Sequence, residues 1–435
     1  MNSFDKKLLI VNTILFSIFL LLTLFNIDLT KYLYFYVLYI SILNLIYSRN
    51  NIYQYIFSFF IIIYELPLLY YFIKQVNITQ YSDFNNIIYY SKAQVIHSLF
   101  IFSYYYFSVI YFKNVNENYQ NNKLVSLFKP NKLAFYFWLI ICTIILIFGQ
   151  TGSNVFEAEG YATGDSNKSV IYEYFSVFYF LAFVYSRKRG FQLRMLYLLS
   201  IIYCIKSLLF GGRIEVIQLI LLNFYLFIDL KNIKTNLWKT SLLLLFGYYF
   251  NLIIGNIRND PSSILGFDYL KILNPFNYNE IKNVYYSNEG DVFYSSVRLI
   301  ALIENNLLSI FQRLESLLGF VLSIFLPTSW LPASASLLTF MKSEYNSGGG
   351  GLISIYSYAW LSYLGPVLIS FYIIKIFKQT TSSISKYFYL YGLLAVSTFP
   401  RWFAYNPLIL FKMCFWIIPI YFISNSIFFD NVRKR

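Results

Sequence analysis

The chain has 435 residues, of which 58% are hydrophobic and 12% charged, with a mean hydropathy of +0.55. That balance excludes a soluble globular protein, a disordered chain and a disulfide scaffold, and its continuous apolar runs exclude an outer-membrane barrel, whose strands alternate. The net charge of +14 matters less than its placement, because topology in a membrane follows where the Lys and Arg residues lie.

Taken in chain order, the apolar runs predict spans near 8–26, 30–47, 52–73, 92–112, 133–150, 169–186, 193–211, 213–229, 239–257, 352–374, 386–400 and 407–429. At roughly 20 residues per crossing, about 12 spans absorb nearly all the apolar residues. The expected fold class is therefore all-α: a polytopic integral membrane protein with about 12 transmembrane helices, forming one domain over 1–435. Lys6 and Lys7 precede the first run and no small-residue cleavage site follows, so that run reads as a first span. Cys142, Cys204 and Cys414 sit inside apolar runs and form neither a disulfide framework nor a metal motif.

With the N-terminus cytoplasmic, 20 of the 34 Lys and Arg residues fall on the cytoplasmic ends and loops and 12 outside, six of these in the long segment 258–351. The short inner loops are basic and the short outer ones are not, which places both termini in the cytoplasm. A further full span near 316–339 would put Lys375, Lys378, Lys386 and the C-terminal Arg-Lys-Arg outside. Segment 258–351 is apolar at helical spacing over 292–325 and is expected to lie on the membrane surface or on the bundle. Residues 316–327 are too short to span and predict a re-entrant or interfacial helix, ended by Pro327 and Pro332.

Ionisable residues in a bilayer are functional candidates. Here they are Glu65, His97, Glu173, Lys206, Arg213, Glu215 and Lys412, all in the outer half or at the outer mouth, with Arg258 and Arg401 at the outer ends of their spans. A proton path needs groups at several depths; this distribution suggests a cationic cavity open to the outside. The strongest local motif is Leu-Phe-Gly211-Gly212-Arg213-Ile-Glu215, a two-glycine turn that brings helices and backbone N–H groups close. The spans beginning near Arg213, Leu352 and Pro407 run inward, so their positive dipole ends face the outer mouth. Asn406-Pro407 is a good cap and first residue, and Ser347 to Gly351 would offer N–H groups of Gly350 and Gly351 to an anion. Three helix ends with Arg213, Arg258, Arg401, Lys206 and Lys412 make a diphosphate site, for which the planar fork of Arg is suited. Snorkelling to lipid headgroups is the alternative for each cation. Glu289 and Asp291 read as a solvated loop or a metal pair, His97 as a packed residue, and Glu65 before Pro67 as a kink with a locally bonded carboxyl. There is no P-loop, dinucleotide fingerprint or zinc spacing, so no cofactor, metal or nucleic acid is expected.

Gly-Gly-Arg213 at an outward hairpin, one long late outer segment, a glycine cluster before a span, and Pro400-Arg401-Trp402-Phe403 together give the pattern of a known family. On these features the chain resembles the Wzy-type oligosaccharide repeat-unit polymerases, the O-antigen polymerases. Relatives often read Gly-Ser-Arg where this chain has Gly-Gly-Arg, and many carry an acid a few positions before the glycine matching Gly365, where this chain has Tyr358-Ala359-Trp360. The resemblance implies a bacterial inner-membrane glycosyltransferase acting on the periplasmic face. It would move a growing glycan from undecaprenyl diphosphate onto the next lipid-linked repeat unit without metal or nucleotide. Its implied partners are undecaprenyl-diphosphate-linked glycans, membrane lipid and a chain-length regulator protein.

Such a reaction needs cations around the departing diphosphate: Arg213, Arg258 and Arg401, supported by Lys206 and Lys412. It also needs a base for the acceptor hydroxyl, for which Glu215, Asp268, Asp291 and Glu344 all remain candidates, Glu215 being grouped with the arginines. Trp330 and the many Tyr residues of the outer segment would stack on sugars or anchor at the interface. Two rivals share the architecture. An O-antigen ligase usually relies on a histidine in the large outer loop, and this chain has none there. A lipid-linked oligosaccharide flippase should show charges through its centre and repeated halves. An acyltransferase is set aside because no His-Asp or His-Glu pairing can be read along the chain.

Overall fold

In the computed structural model, residues 3–24, 30–49, 51–74, 87–112, 127–152, 167–187, 190–227, 237–259, 269–273, 278–279, 284–285, 287–332, 335–337, 339–340, 350–382 and 385–433 are described. Most of them are helical. In chain order the elements are α1 (Ser3–Leu24), α2 (Thr30–Ser48), α3 (Ile52–Lys74), α4 (Ile87–Phe112), α5 (Lys132–Phe148), β1 (Gln150–Thr151), β2 (Asn167–Lys168), α6 (Val170–Glu173), α7 (Phe175–Tyr185), α8 (Phe191–Leu209), α9 (Arg213–Phe227), α10 (Leu237–Asn259) and α11 (Tyr269–Leu273). A second two-residue hairpin follows, β3 (Tyr278–Asn279) with β4 (Val284–Tyr285). Then come α12 (Asn288–Glu304), α13 (Ile310–Phe325), α14 (Ile353–Leu361), α15 (Leu364–Ser382), α16 (Lys386–Ser397), α17 (Phe399–Ala404) and α18 (Leu408–Arg433).

Helices α3, α4, α8, α10 and α18 each contain a stretch long and apolar enough to cross a membrane, and α2, α5 and α7 contain shorter apolar stretches. Several polar side chains are buried among the helices while one apolar helix face is exposed, an arrangement suited to a hydrocarbon solvent. Asn12, Asn44, Gln54, Gln94 and His97 are fully buried, while Leu242, Leu243, Phe246 and Phe250 of α10 face out. The chain is therefore an all-α protein of membrane character.

It packs as two compact units. Unit 1 comprises Met1–Glu117, Phe276–Ser382 and Arg401–Ile409; unit 2 comprises Asn118–Pro275, Ser383–Pro400 and Leu410–Arg435. In unit 1, α4 is the central element and packs on α1, α2, α12, α14 and α15. Its aromatic core gathers Phe57, Tyr64, Phe100 and Tyr104 with Trp402 and Phe403 of α17. The aromatic half of the Arg401-Trp402-Phe403 motif is thus packing material, both rings being fully buried. In unit 2, α5 lies along α7, and α9 contacts α7, α8 and α16. A stack of Tyr172, Tyr203 and Phe175, with centroids 4.9 and 3.8 Å apart, fastens α8 to the α6–α7 strand of chain.

Three expected spans are interrupted, the run 386–400 only near its end, at Thr398 between α16 and α17. The run 169–186 breaks at Tyr174 into α6 and α7. The run 352–374 breaks between α14 and α15, where Ser362 takes a φ of 52°. That break is held from outside the run: the Arg313 guanidinium donates to the carbonyls of Tyr358 and Ala359 and to Ser362 Oγ, adding a cation to the carbonyls at the helix C-terminus, where the Tyr358 carbonyl also accepts from Ser362 N–H. Gly365 closes the turn, because a Cβ there would lie 1.9 Å from the Ser357 carbonyl oxygen. Of the two placements expected for 292–325, on the membrane surface or on the bundle, the first part of the segment takes the second. Helix α12 is core, with Val292, Phe293, Val297, Leu299 and Ile300 all buried against α3, α4 and α14. Only α13 is amphipathic in the expected sense. Its small residues Ser316, Gly319 and Ser323 are buried, and Phe311, Leu318 and Phe325 are exposed. It ends at Leu326, immediately before Pro327.

Gly365→Ala should lower stability by about 1–3 kcal/mol through overpacking. Gly247→Ala, where a Cβ meets nothing within 4 Å, should be neutral or raise it by about 0.5–1 kcal/mol. Thermal unfolding of both variants in detergent separates the two effects.

Candidate functional site

The expected residues divide between the units. Arg213, Glu215, Lys206, Gly211, Gly212, Lys412 and the backbone of Arg258 belong to unit 2; Arg401, Gly350, Gly351 and Trp330 belong to unit 1. Each group is described within its own unit.

In unit 2, the end of α8 and the start of α9 are set by the two glycines. Gly212 N–H donates to the Ser207 carbonyl (2.7 Å) and Gly211 N–H to that of Leu208 (3.0 Å). Gly211 has a φ of 77°. This is a Schellman turn, in which a left-handed residue lets the chain satisfy the last carbonyls of a helix. Gly212 leaves room for the Glu215 carboxylate, whose Oε2 would be 2.9 Å from a Cβ at that position. Glu215 thereby lies over the first turn of α9, where the dipole favours an anion. It is also ion-paired with Lys168, which reaches Glu173 at 3.3 Å. As a base candidate, Glu215 is thus a carboxylate already held by an ammonium.

Arg213 opens α9 and lays its guanidinium on α10. Nη1 donates to the Asn251 carbonyl at 3.3 Å, and a Cβ on Gly255 would fall 2.3 Å from the same nitrogen. Gly255 is therefore the notch that admits Arg213, and the backbone of Arg258 follows less than one turn later on α10. Lys206 differs from the expected ligand cation. Its ammonium donates to the carbonyls of Leu146 (2.7 Å) and Ile147 (3.1 Å), capping the C-terminus of α5. Through these contacts one end of unit 2 collects Lys168, Lys206 and Arg213 with Glu173 and Glu215. Lys412 is half-buried on α18.

In unit 1, the glycine pair serves close packing rather than an open amide cradle. Gly350 and Gly351 are buried, a Cβ on Gly350 would sit 1.6 Å from the Tyr405 carbonyl oxygen, and one on Gly351 would touch Ser296 Oγ and the Tyr356 ring. The next amide, Leu352 N–H, donates to Ser296 Oγ. Ser347 to Gly349, Asp268 and Glu344 lie outside the described residues. Arg401 is half-buried on α17, and its carbonyl accepts from Tyr405 and Asn406 N–H. Asn406 caps α18 as expected, its Oδ1 accepting from Leu408 N–H at 3.0 Å. Trp330 is 74% exposed in a short 3-10 turn. Glu289 and Asp291 are in the first turn of α12, capped by Ser287, rather than in a loop.

The grouping that chain-order reading missed is also in unit 1. His97 Nε2 comes within 2.7 Å of Glu65 Oε1, and His97 Nδ1 lies 3.0 Å from Ser354 Oγ. The Glu65–His97 approach is bent, neither atom being part of a linear hydrogen bond. Glu65, His97 and Ser354 are at most 1% exposed. They come from α3, α4 and α14, 32 and 257 positions apart, so no spacing rule joins them. A polar residue on each of three apolar helices was the only available sign.

No protein-family model, no curated protein and no solved structure matches the chain.

Replacing Lys206 by Met keeps the stem and removes the two carbonyl bonds. If capping is its role, Lys206→Met should lower stability by about 1.5–3 kcal/mol, seen as a lower thermal midpoint in detergent. An unchanged midpoint would return Lys206 to the list of ligand cations.

Proposed function

We propose that the protein is a membrane glycosyltransferase of the Wzy type, polymerising lipid-diphosphate-linked oligosaccharide repeat units on the periplasmic face of a bacterial inner membrane. In this reading about 12 spans carry the chain, with both termini cytoplasmic. The observation that supports it most is the basic end of unit 2. The Gly211-Gly212 turn fixes Arg213 at the start of an apolar helix, Gly255 makes room for its guanidinium, and Lys168 and Lys206 lie at the same end.

The chemistry follows from charge. As the anomeric C–O bond of the donor breaks, negative charge builds on the diphosphate of the lipid carrier. A guanidinium already donating to backbone stabilises that charge more where water is excluded than it would in water, and it needs little reorganisation at the moment of bond cleavage. Arg213 takes this role, and Arg258, three residues after Gly255 in the chain, is the second cation assigned to it. The α9 N-terminus adds its dipole. Lys168 balances Glu215 and Glu173, and its release would supply a further cation and free a carboxylate to accept the proton of the incoming sugar hydroxyl.

Electrophoresis of surface glycan from a strain lacking the gene, complemented with variants, tests this. Arg213→Ala should insert normally yet leave single-repeat glycan, with polymerisation down about 100-fold or more. Arg213→Lys should restore part of it, since the charge returns without the fork. Gly255→Leu should reproduce the Arg213→Ala pattern by filling the notch. Long-chain glycan unchanged in all three would overturn the assignment. Accumulation of the lipid-linked unit on the cytoplasmic face would favour a flippase, and polymer retained on its carrier a ligase.

A further inference from the structure

We propose that unit 1 contains a second, separate chemistry: Ser354 is a nucleophile activated by His97 and Glu65, and accepts an acyl group from a membrane-lipid ester. The inference does not depend on the function assigned to unit 2.

Four observations carry it. First, the three groups are in the order that serine activation requires. Nε2 faces the Glu65 carboxylate at 2.7 Å in a bent approach; in the tautomer with the proton on Nε2, Nδ1 is left as the acceptor for the Ser354 hydroxyl 3.0 Å away, and the nearby carboxylate stabilises the imidazolium that forms. Second, Ser354 is the second residue of α14. The amides of Ile353 and Ser354 belong to the first helical turn, where N–H groups have no partner inside the helix. These amides and the dipole of the nine-residue helix are the donors that adjoin Ser354 along the chain and would favour negative charge beside Oγ. Third, polar capacity remains around the histidine. Gln94, one turn before His97 on α4, is fully buried, and neither end of its amide has a hydrogen bond among the described residues. The same holds for Glu65 Oε2. Fourth, the surroundings are apolar. The imidazole is flanked by Phe100 and Phe403 at 6.1 and 6.0 Å between centroids, which suits an acyl chain and keeps water from an ester intermediate.

The step balances without a redox partner. Ser354 Oγ attacks the ester carbonyl carbon and its proton passes to His97 Nδ1. The ester C–O bond then breaks and the leaving lipid alcohol takes that proton, giving an acyl-serine. An acceptor alcohol attacks the acyl-serine, gives its proton to Nδ1, and the regenerated Ser354 recovers it.

The test is covalent labelling of the full-length protein, in detergent and in lipid nanodiscs, with a long-chain alkyl fluorophosphonate. Ser354 Oγ displaces fluoride from phosphorus and its proton goes to His97. The modified peptide is located by mass spectrometry. The expected result is one adduct on Ser354, absent in Ser354→Ala and formed about 100-fold more slowly in His97→Gln. The isosteric Glu65→Gln should slow it about tenfold or more, while gel filtration and thermal midpoints show that each variant is folded. Absence of the Ser354 adduct from folded wild-type protein overturns the proposal. So does labelling of Ser354 at the same rate in folded Glu65→Gln and His97→Gln.

Discussion

Within an apolar solvent a polypeptide has no water to complete its hydrogen bonds, so every helix end and every polar side chain must find its partner in the protein. That requirement accounts for more of this structure than any single packing contact. The C-terminus of α5 is completed by the Lys206 ammonium, that of α8 by the left-handed Gly211, and that of α14 by the Arg313 guanidinium. At the other poles, Asn131, Ser309 and Asn406 accept from the first amides of α5, α13 and α18. Each device spends a residue that would be unexceptional on the surface of a soluble protein.

The same requirement changes how the cations are to be read. A Lys or Arg near a span end is a candidate for binding an anion, but carbonyl groups compete for it with equal right. Lys206 and Arg313 go to carbonyls, and Lys168 goes to two carboxylates. Arg213 is different in its setting: Gly255 on the neighbouring helix leaves room for its guanidinium, which donates to the Asn251 carbonyl. That is why the proposed leaving-group site is centred on Arg213 and not on the sum of the basic residues.

Unit 1 shows the requirement from the other side. Glu65, His97 and Ser354 would each be costly alone in a bundle lined by Phe and Ile. Together they are mutually stabilising, and they tie α3, α4 and α14 at one point. The His-carboxylate pair that could not be read along the chain is brought together by the fold.

From the amino-acid order alone came the all-helical class, the membrane character, and helix limits within a few residues for most runs, because hydropathy and periodicity act over one or two turns. The Gly211-Gly212 turn and the Asn406-Pro407 cap were legible for the same reason: both are complete within six residues. The interruption at Ser362 was not, since it is held by Arg313 some 49 positions away. Nor was the burial of α12, whose apolar face looks alike whether it meets lipid or protein. The capping role of Lys206, the notch for Arg213 and the union of Glu65, His97 and Ser354 were decided only by tertiary structure, because each joins helices whose side chains carry no sequence mark of their partner.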